Sequence, residues 1–427
     1  MQYMADNFYR PLSRQGQERS ETSFLVNLFA LIVSVALVGS LSRLLTPLGI
    51  FLSLATALLV STLFFEWLFF PKTCWLAHIK VRRKLSLARV AFREIALIVT
   101  LGAIGLAYWL FPMFAIKKFE TTYFPFLKYL IPFLLVASLP YFCIMDKIDT
   151  EEDDVYCRFG RAILTWRRTL TRFEFANYIR SWLIKAFWLS LMQPDMMEKI
   201  KIFLCYNWHK LSHDDIQIYA MAATICFGID LCYASVGYIM NFKMFNTHTR
   251  TAEPTLVGWV VAIVCYWPFW ECLVCPYFLP YPVKGWETLF PSGGVIWWTW
   301  AISIILLEFL YAMSTVSAGI RFSNLTYRGL WATGLYRLTK HPAYVFKNIS
   351  WWMIYAPTII FSGSNAIKQV LFLLGINLVY FMRARTEERH LSAYPEYVAY
   401  AEEMNDKGMF RHLTKIVPLL AYRRPTR

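Results

Sequence analysis

The chain has 427 residues, of which 57% are hydrophobic and only 17% are charged. Soluble globular domains carry about 25% charged residues, and the apolar residues here occur in blocks as long as a bilayer core is thick. This composition argues against a water-soluble enzyme and predicts an all-α, polytopic integral membrane protein. The net charge of +15 is assigned to basic loops beside anionic membrane lipids, and no nucleic-acid partner is expected.

Apolar runs of bilayer length divide the chain. Two shorter runs, 344–361 and 366–382, are separated by the turn-forming residues 362–365 and predict a helical hairpin. Seven long runs predict membrane helices: 24–45, 48–70, 95–116, 124–145, 216–240, 256–279 and 295–320.

The basic residues set the expected orientation. Arg10, Arg14 and Arg19 precede the first run, and both the loop after the second run and the C-terminal tail are basic, so both termini are predicted to be cytoplasmic. An even number of crossings is then required. The seven long and two shorter runs make nine crossings, so a tenth is expected at 181–205. This segment contains Lys185, and its alternative interpretation is an interfacial amphipathic helix. The membrane is a bacterial inner membrane or the endoplasmic reticulum.

Three regions follow from these boundaries. Residues 1–23 form a cytoplasmic N-terminus, 24–320 a bundle with a cytoplasmic loop at 146–180, and 321–427 a cofactor-binding module. The loop opens acidic and turns basic, which favours a solvated loop with an amphipathic helix over a docking surface. Because no cleavage pattern follows the first run, we expect that run to remain as a membrane helix.

Other polar residues inside the runs require partners. Cys272 and Cys275 have the spacing of a metal or redox pair, but without a second pair packing is favoured and no metal is predicted. Asp230 and Glu308 lie in the middle of apolar runs, where a carboxylate usually faces a cavity or a partner. Asp230 is followed by a dense polar loop at 246–254. A structural network and the lining of a substrate cavity are both open for these residues.

Chemically active side chains flank the predicted hairpin. His341 precedes Pro342, which places the imidazole at a helix N-terminus whose free amides receive anions. Two acids come about one helical turn after two arginines, so one acid is expected to bind a ligand while the other pairs with an arginine. A tyrosine repeat at 394, 397 and 400 is predicted to line one helix face. The candidates are Tyr336, Lys340, His341, Pro342, Tyr344, Arg383, Arg385, Glu387, Glu388, His390 and Tyr397.

Residues 322–404 contain, in this order, Gly-Leu-Tyr-Arg, Lys-His-Pro-x-Tyr, the hairpin, Glu-Glu and Pro-x-Tyr-x-x-Tyr. This order resembles the isoprenylcysteine carboxyl methyltransferase and phospholipid methyltransferase superfamily. The resemblance implies S-adenosylmethionine in a cytosol-facing pocket and a membrane-resident lipophilic acceptor. It also implies that His341 and Tyr344 contact the cofactor, and that Glu387 or Glu388 holds its ribose or amino-acid end. Arg383 or Arg385 would lie near the acceptor; we name both and Glu387 as catalytic candidates, and the other residues as cofactor-binding.

The sequence departs from this pattern in two ways. Lys340 replaces the usual arginine before His-Pro, and Ala393-Tyr394-Pro395 replaces the usual Phe-Gly. The long N-terminal part more distantly resembles the ten-span sterol reductases, which bind NADPH. The sequence therefore favours a methyltransferase, with an NADPH-dependent ene reductase as the first alternative and a non-catalytic membrane scaffold as the second.

Overall fold

The computed structural model describes residues 20–71, 74–111, 117–206, 214–274, 285–361 and 363–424. Within these ranges the chain is mainly helical, and two dipeptides, Thr251–Ala252 (β1) and Thr326–Tyr327 (β2), pair as antiparallel strands. Several residues used in the sequence predictions lie outside the described ranges: Arg10, Arg14, Arg19 and Cys275.

The described residues contain thirteen α-helices, numbered here in chain order. They are α1 (Phe24–Leu41), α2 (Pro47–Phe69), α3 (Leu87–Leu110), α4 (Phe124–Ile148), α5 (Val155–Thr165), α6 (Arg172–Cys205), α7 (Asp215–Ile239), α8 (Leu256–Ile263), α9 (Val295–Ala318), α10 (Pro342–Ile360), α11 (Ala366–Leu391), α12 (Pro395–Lys407) and α13 (Arg411–Ile416). Seven of them, with short extensions, are long and apolar enough to cross a membrane: α1, α2, α3, α4, α7, α9 and α11. The prediction of an all-α polytopic membrane protein is confirmed.

One predicted helix is wrong as an uninterrupted element. The run 256–279 begins as α8, but α8 ends at Ile263 and is followed by turns and by a π-helical turn at Trp270–Val274. Pro268 lies in this interruption, where its missing amide hydrogen and its ring oppose a regular helix. The hairpin prediction is confirmed, because α10 and α11 are joined through Gly363, which has a positive φ of 55°.

Helix ends meet at one end of the bundle, which we call the site end. Arg321, just after α9, pairs with Glu66 near the end of α2 at 2.6 Å and donates to the carbonyl of Asn246 at 3.1 Å. Asn246 in turn donates to Glu21, before the start of α1, at 2.6 Å. At the start of α6, Asn177 accepts a hydrogen bond from the amide of Ala252 at 2.8 Å. The starts of α1 and α6 and the ends of α2 and α9 therefore lie together.

Two contacts mark the opposite end of the bundle. Lys118, before α4, pairs with Asp195 inside α6, and Ser292, before α9, donates to Asp215 at the start of α7 at 3.2 Å. Helix α6, with 34 residues, is about 51 Å long and exceeds the bilayer core of about 30 Å. It therefore runs from one end to the other, and its crossing of the membrane as the tenth span at 181–205 stays a prediction.

The pattern of ends gives an even number of passes. The start of α1 and the end of α11 lie at the same end of the bundle, because Glu21 pairs with Arg250 and the next residue, Thr251, hydrogen-bonds His390 at 3.0 Å. This agrees with the parity expected from the charges. The assignment of that end to the cytoplasm stays a prediction.

The predicted loop 146–180 is docked on the bundle. Its helix α5 approaches α3 so closely that a Cβ on Gly160 would lie 1.8 Å from the carbonyl oxygen of Phe92. Beneath α5, the fully buried Arg93 and Asp146 pair at 2.8 Å. Asp154 binds Arg93 at 3.2 Å and caps α5 by accepting from the Cys157 amide at 2.8 Å. The expected helix is present, and buried ion pairs hold it in place.

We expect Asp146→Asn to destabilise the protein by about 3–5 kcal/mol, because it leaves the buried Arg93 guanidinium without its partner's full charge. Denaturant titration of the detergent-solubilised protein measures the change. Glu198→Gln is the control, since both side chains of the Lys118–Glu198 pair are exposed and the pair is expected to contribute about 1 kcal/mol or less. Equal losses in the two variants would contradict a buried ion-pair core.

Candidate functional site

The return helix of the hairpin presents the candidate residues on different faces. Instead of ending near 382, α11 continues to Leu391, so Arg383, Glu387 and His390 follow one another at helical spacing. Glu388 is turned by about 100° from Glu387. The two adjacent acids therefore have different surroundings: Glu387 and His390 line a cavity, and the Glu388 side chain is only 6% exposed among cations.

The start of α10 brings the His-Pro motif to these acids. Pro342 is the first residue of the helix, where the missing amide hydrogen costs nothing, and His341 is its N-cap. The imidazole stacks on the Tyr344 ring with 5.4 Å between centroids, and its Nδ1 lies 3.7 Å from Glu387. The Tyr344 hydroxyl donates to Glu387 at 2.8 Å. The predicted position of His341 at a helix N-terminus is confirmed.

Glu388 binds cations that come from both sides of the hairpin. Its carboxylate lies 2.7 Å from Lys340 Nζ, 3.3 Å from His341 Nε2 and 2.8 Å from Arg385. Arg385 also donates to the carbonyl of Ala421 at 3.2 Å, which ties the C-terminal tail to α11. Burial lowers the pKa of Lys340, and the nearby Glu388 charge opposes this shift. The expectation that one acid pairs with an arginine is met by Glu388.

Arg383 is a buried cation surrounded by aromatic rings. Its guanidinium lies 5.1 Å from the ring centroid of Tyr344, 5.6 Å from that of Tyr266 and 5.9 Å from that of Tyr380. It donates to Asn324 Oδ1 at 2.5 Å. Among the described residues it makes no ion pair with a carboxylate, although it is only 6% exposed. A buried guanidinium of this kind attracts an anionic ligand.

One cavity connects these groups. It encloses about 890 Å³ of empty space, which includes open solvent at its mouth. Of the sequence candidates, six line it: Tyr336, His341, Tyr344, Arg383, Glu387 and His390. The others lie outside the lining: Lys340, Pro342, Arg385, Glu388, Tyr397, Asp230 and Glu308.

The tyrosine repeat packs beneath the cavity. Tyr397 is buried against Tyr400 and Tyr422, and the Tyr400 hydroxyl donates to the carbonyl of Tyr336 at 2.6 Å. Burial raises the pKa of the Tyr336 phenol above its usual range, so this cavity-lining group stays protonated. Tyr394 instead hydrogen-bonds Thr251 at 2.7 Å. Helix α12 therefore supports the cavity from outside.

Sequence reasoning did not single out Glu253. The backbone amide of Glu253 donates to the carbonyl of Leu325 at 2.8 Å, next to the β1–β2 pair, and its carboxylate lines the cavity. The side chain is 1% exposed and lies 3.3 Å from Arg389 and 3.7 Å from His390. The sequence signal for Glu253 is the dense polar loop 246–254, which is compatible with both a structural network and a cavity lining. Glu253 belongs to both.

The two carboxylates within the bundle differ in their relation to the cavity. Asp230 accepts hydrogen bonds from Tyr311, at 3.1 Å, and from Thr315, and both of these hydroxyl residues line the cavity. Asp230 therefore orients two hydroxyl groups of the cavity without lining it itself. Glu308 is 8% exposed, and its Oε2 has no hydrogen-bond partner among the described residues.

Comparison with known proteins gives one match. A family described as "Protein of unknown function (DUF1295)" matches residues 272–404, a range that contains α9, α10 and α11. This family is associated with steroid reductase-like and methyltransferase-like membrane proteins. The comparisons with curated proteins and with solved structures found no match. The match supports a resemblance to that broad group over residues 272–404.

We expect Glu388→Gln to destabilise the protein by about 3–5 kcal/mol, because it removes the charge that Lys340 and Arg385 share in a buried position. Glu387→Gln is the matched variant, since the Glu387 side chain is 40% exposed and a glutamine oxygen still accepts from Tyr344. It should cost about 1 kcal/mol or less. Denaturant titration in detergent measures both, and equal effects would contradict the separation of the two acids.

Proposed function

We propose that the protein is an S-adenosylmethionine-dependent methyltransferase that acts on a lipophilic acceptor from the membrane. One observation carries this proposal. Arg383 and Glu387 have opposite charges, lie one helical turn apart and line the same cavity at the end of a membrane helix. The amino-acid end of S-adenosylmethionine has a carboxylate beside an ammonium group, and its sulfonium adds a second positive charge.

The cavity residues fit the chemical groups of this cofactor. Arg383 would bind a carboxylate, for which it has no competing acid partner among the described residues. Glu387 would accept hydrogen bonds from the ammonium group or from ribose hydroxyls.

The charges of the cavity are balanced. Two carboxylates, Glu387 and Glu253, and two cations, Arg383 and Lys347, line it, so a phosphate group would meet attraction as well as repulsion. The reductase remains the second candidate because the matched family is associated with both chemistries. A non-catalytic scaffold would need a binding surface, and its candidate, the 146–180 loop, is partly committed to packing against α3.

The chemistry requires little acid–base catalysis. The bound cofactor supplies a methyl group on a positively charged sulfur, whose carbon–sulfur bond breaks as a lone pair of the acceptor bonds to the carbon. The protein aligns the acceptor and excludes water. An acceptor that must lose a proton would transfer it to Glu387.

We further propose that the site end faces the cytoplasm. The segment before α3 places Arg82, Arg83 and Lys84 at this end, where Arg82 donates to the carbonyl of Ile148 at 3.2 Å. Positive residues in short loops face the cytoplasm. A water-soluble cofactor would then enter from the cytoplasm, and the acceptor from the bilayer. This orientation holds for a bacterial inner membrane and for the endoplasmic reticulum.

We expect calorimetric titration of the detergent-solubilised full chain to show binding of S-adenosylmethionine and none of NADPH. Glu387→Gln and Arg383→Gln should each weaken that binding by about tenfold or more, because each removes a charged hydrogen-bond partner. Glu402→Gln, on an exposed position of α12, is the control and should leave the affinity unchanged.

Other results of the same titration would decide against the proposal. Binding of NADPH alone, with its oxidation when a sterol is added, would identify a reductase. Binding of neither cofactor by a folded protein would favour the scaffold. Unchanged affinity in both cavity variants would move the cofactor site away from Arg383 and Glu387.

A further inference from the structure

The cavity has a second polar region, which we call the inner end and define by Tyr311, Thr315 and Lys347. All three side chains line the cavity. Lys347 is the sixth residue of α10, about 8 Å along the helix from its start at the His-Pro motif. The inner end therefore lies farther into the bundle than His341.

The hydroxyl groups of the inner end have their hydrogens already committed. Tyr311 donates to Asp230 Oδ2 at 3.1 Å, and Thr315 donates to Asp230 Oδ1. Each hydroxyl has a single hydrogen, so neither can donate to a ligand while it is bonded to Asp230. Their remaining lone pairs are acceptors. Asp230, only 7% exposed behind them, keeps both hydroxyls in this orientation.

Lys347 supplies a hydrogen-bond donor to the inner end. Its ammonium group lies 5.0 Å from the ring centroid of Tyr311 and 5.5 Å from that of Trp351. It makes no ion pair with a carboxylate of the described residues, and an ammonium group has three hydrogens to donate. The inner end thus combines acceptors on α9 with a donor on α10.

We propose that the inner end binds a hydroxyl group, and that the lipophilic substrate is therefore an alcohol. A hydroxyl donates to Tyr311 or Thr315 and accepts from Lys347 at the same time. A ketone or an ether accepts from Lys347 but leaves both acceptors without a hydrogen. An ammonium ion is repelled by Lys347, and a carboxylate, although Lys347 attracts it, brings no hydrogen for Tyr311 or Thr315. This inference rests on the proposed function, since it names the class of substrate for that site.

The experiment compares lipids that differ only in this polar group. Full-length protein in nanodiscs is incubated with hexadecanol, its methyl ether and hexadecanal, and separately with cholesterol, its methyl ether and cholestenone. Displacement of the tritiated alcohol of each set gives relative dissociation constants. We expect at least one alcohol to bind about tenfold more tightly than its own ether and carbonyl analogue, the effect of one hydrogen bond to a buried partner.

Matched variants locate the effect. Thr315→Val and Tyr311→Phe together remove the two acceptors and should abolish the preference for the alcohol over the ether. Lys347→Met should instead weaken alcohol and carbonyl probes alike. Ser314→Ala is the control, because Ser314 is buried on the same helix and donates to the carbonyl of Leu310 at 2.9 Å. It should keep the preference unchanged.

The readouts separate this inference from the proposed function. Equal binding of each alcohol and its analogues, binding of neither alcohol, or a preference that survives the double variant would overturn the inference. Titration of S-adenosylmethionine is performed on the same samples, and unchanged cofactor binding in the double variant shows that the site is folded. If wild-type protein binds no S-adenosylmethionine but prefers the alcohol, the proposed function fails and the hydroxyl site stands. In that case, the unfolding midpoints of the wild type and of the double variant show whether the variant is folded.

Discussion

A single buried carboxylate fixes the geometry on which the site depends. Glu388 contacts Lys340, His341 and Arg385, and its side chain is only 6% exposed. A buried charge is costly unless it is paired, and removal of a partner is costly as well. The start of α10 is therefore held against the last turns of α11. Because Glu388 pairs with Lys340 and Arg385, the neighbouring Glu387 remains available to the cavity.

The same constraint explains why the polar loops converge at one end of the bundle. The backbone of the loops needs hydrogen-bond partners, and Glu253 and Asn324 provide or receive them beside the β1–β2 pair. Asn324 donates to Tyr238 at 2.7 Å and accepts from Arg383 at 2.5 Å, so it links α7 to α11. Helices from all parts of the chain thus contribute to a site whose recognisable motif occupies only the last hundred or so residues.

Sequence reasoning predicts the local features and leaves the relative rotation of helices open. Apolar length identified most helices, and the order His341-Pro342 identified the start of α10. The motif did not reveal which of two adjacent acids faces the cavity, because the rotation of α11 depends on its packing against the bundle. For the same reason Arg385, a candidate for the acceptor site, pairs with Glu388 outside the cavity lining. Glu253 lies almost seventy residues before the motif range 322–404, and only tertiary pairing brings it to the cavity.

The order of groups along the cavity bears on how two different molecules would meet there. Charged groups, Glu387 and Arg383, lie where α11 approaches the start of α10, and the inner end has hydroxyl acceptors. Between them stand the rings of Tyr344 and Tyr380, which pack edge to face with centroids 5.4 Å apart. Aromatic walls exclude water and strengthen the electrostatic interactions of the charges beside them. A polar cofactor and a lipophilic alcohol would therefore each find its own polar anchor, on either side of an aromatic part of the cavity where competition from water is weakest.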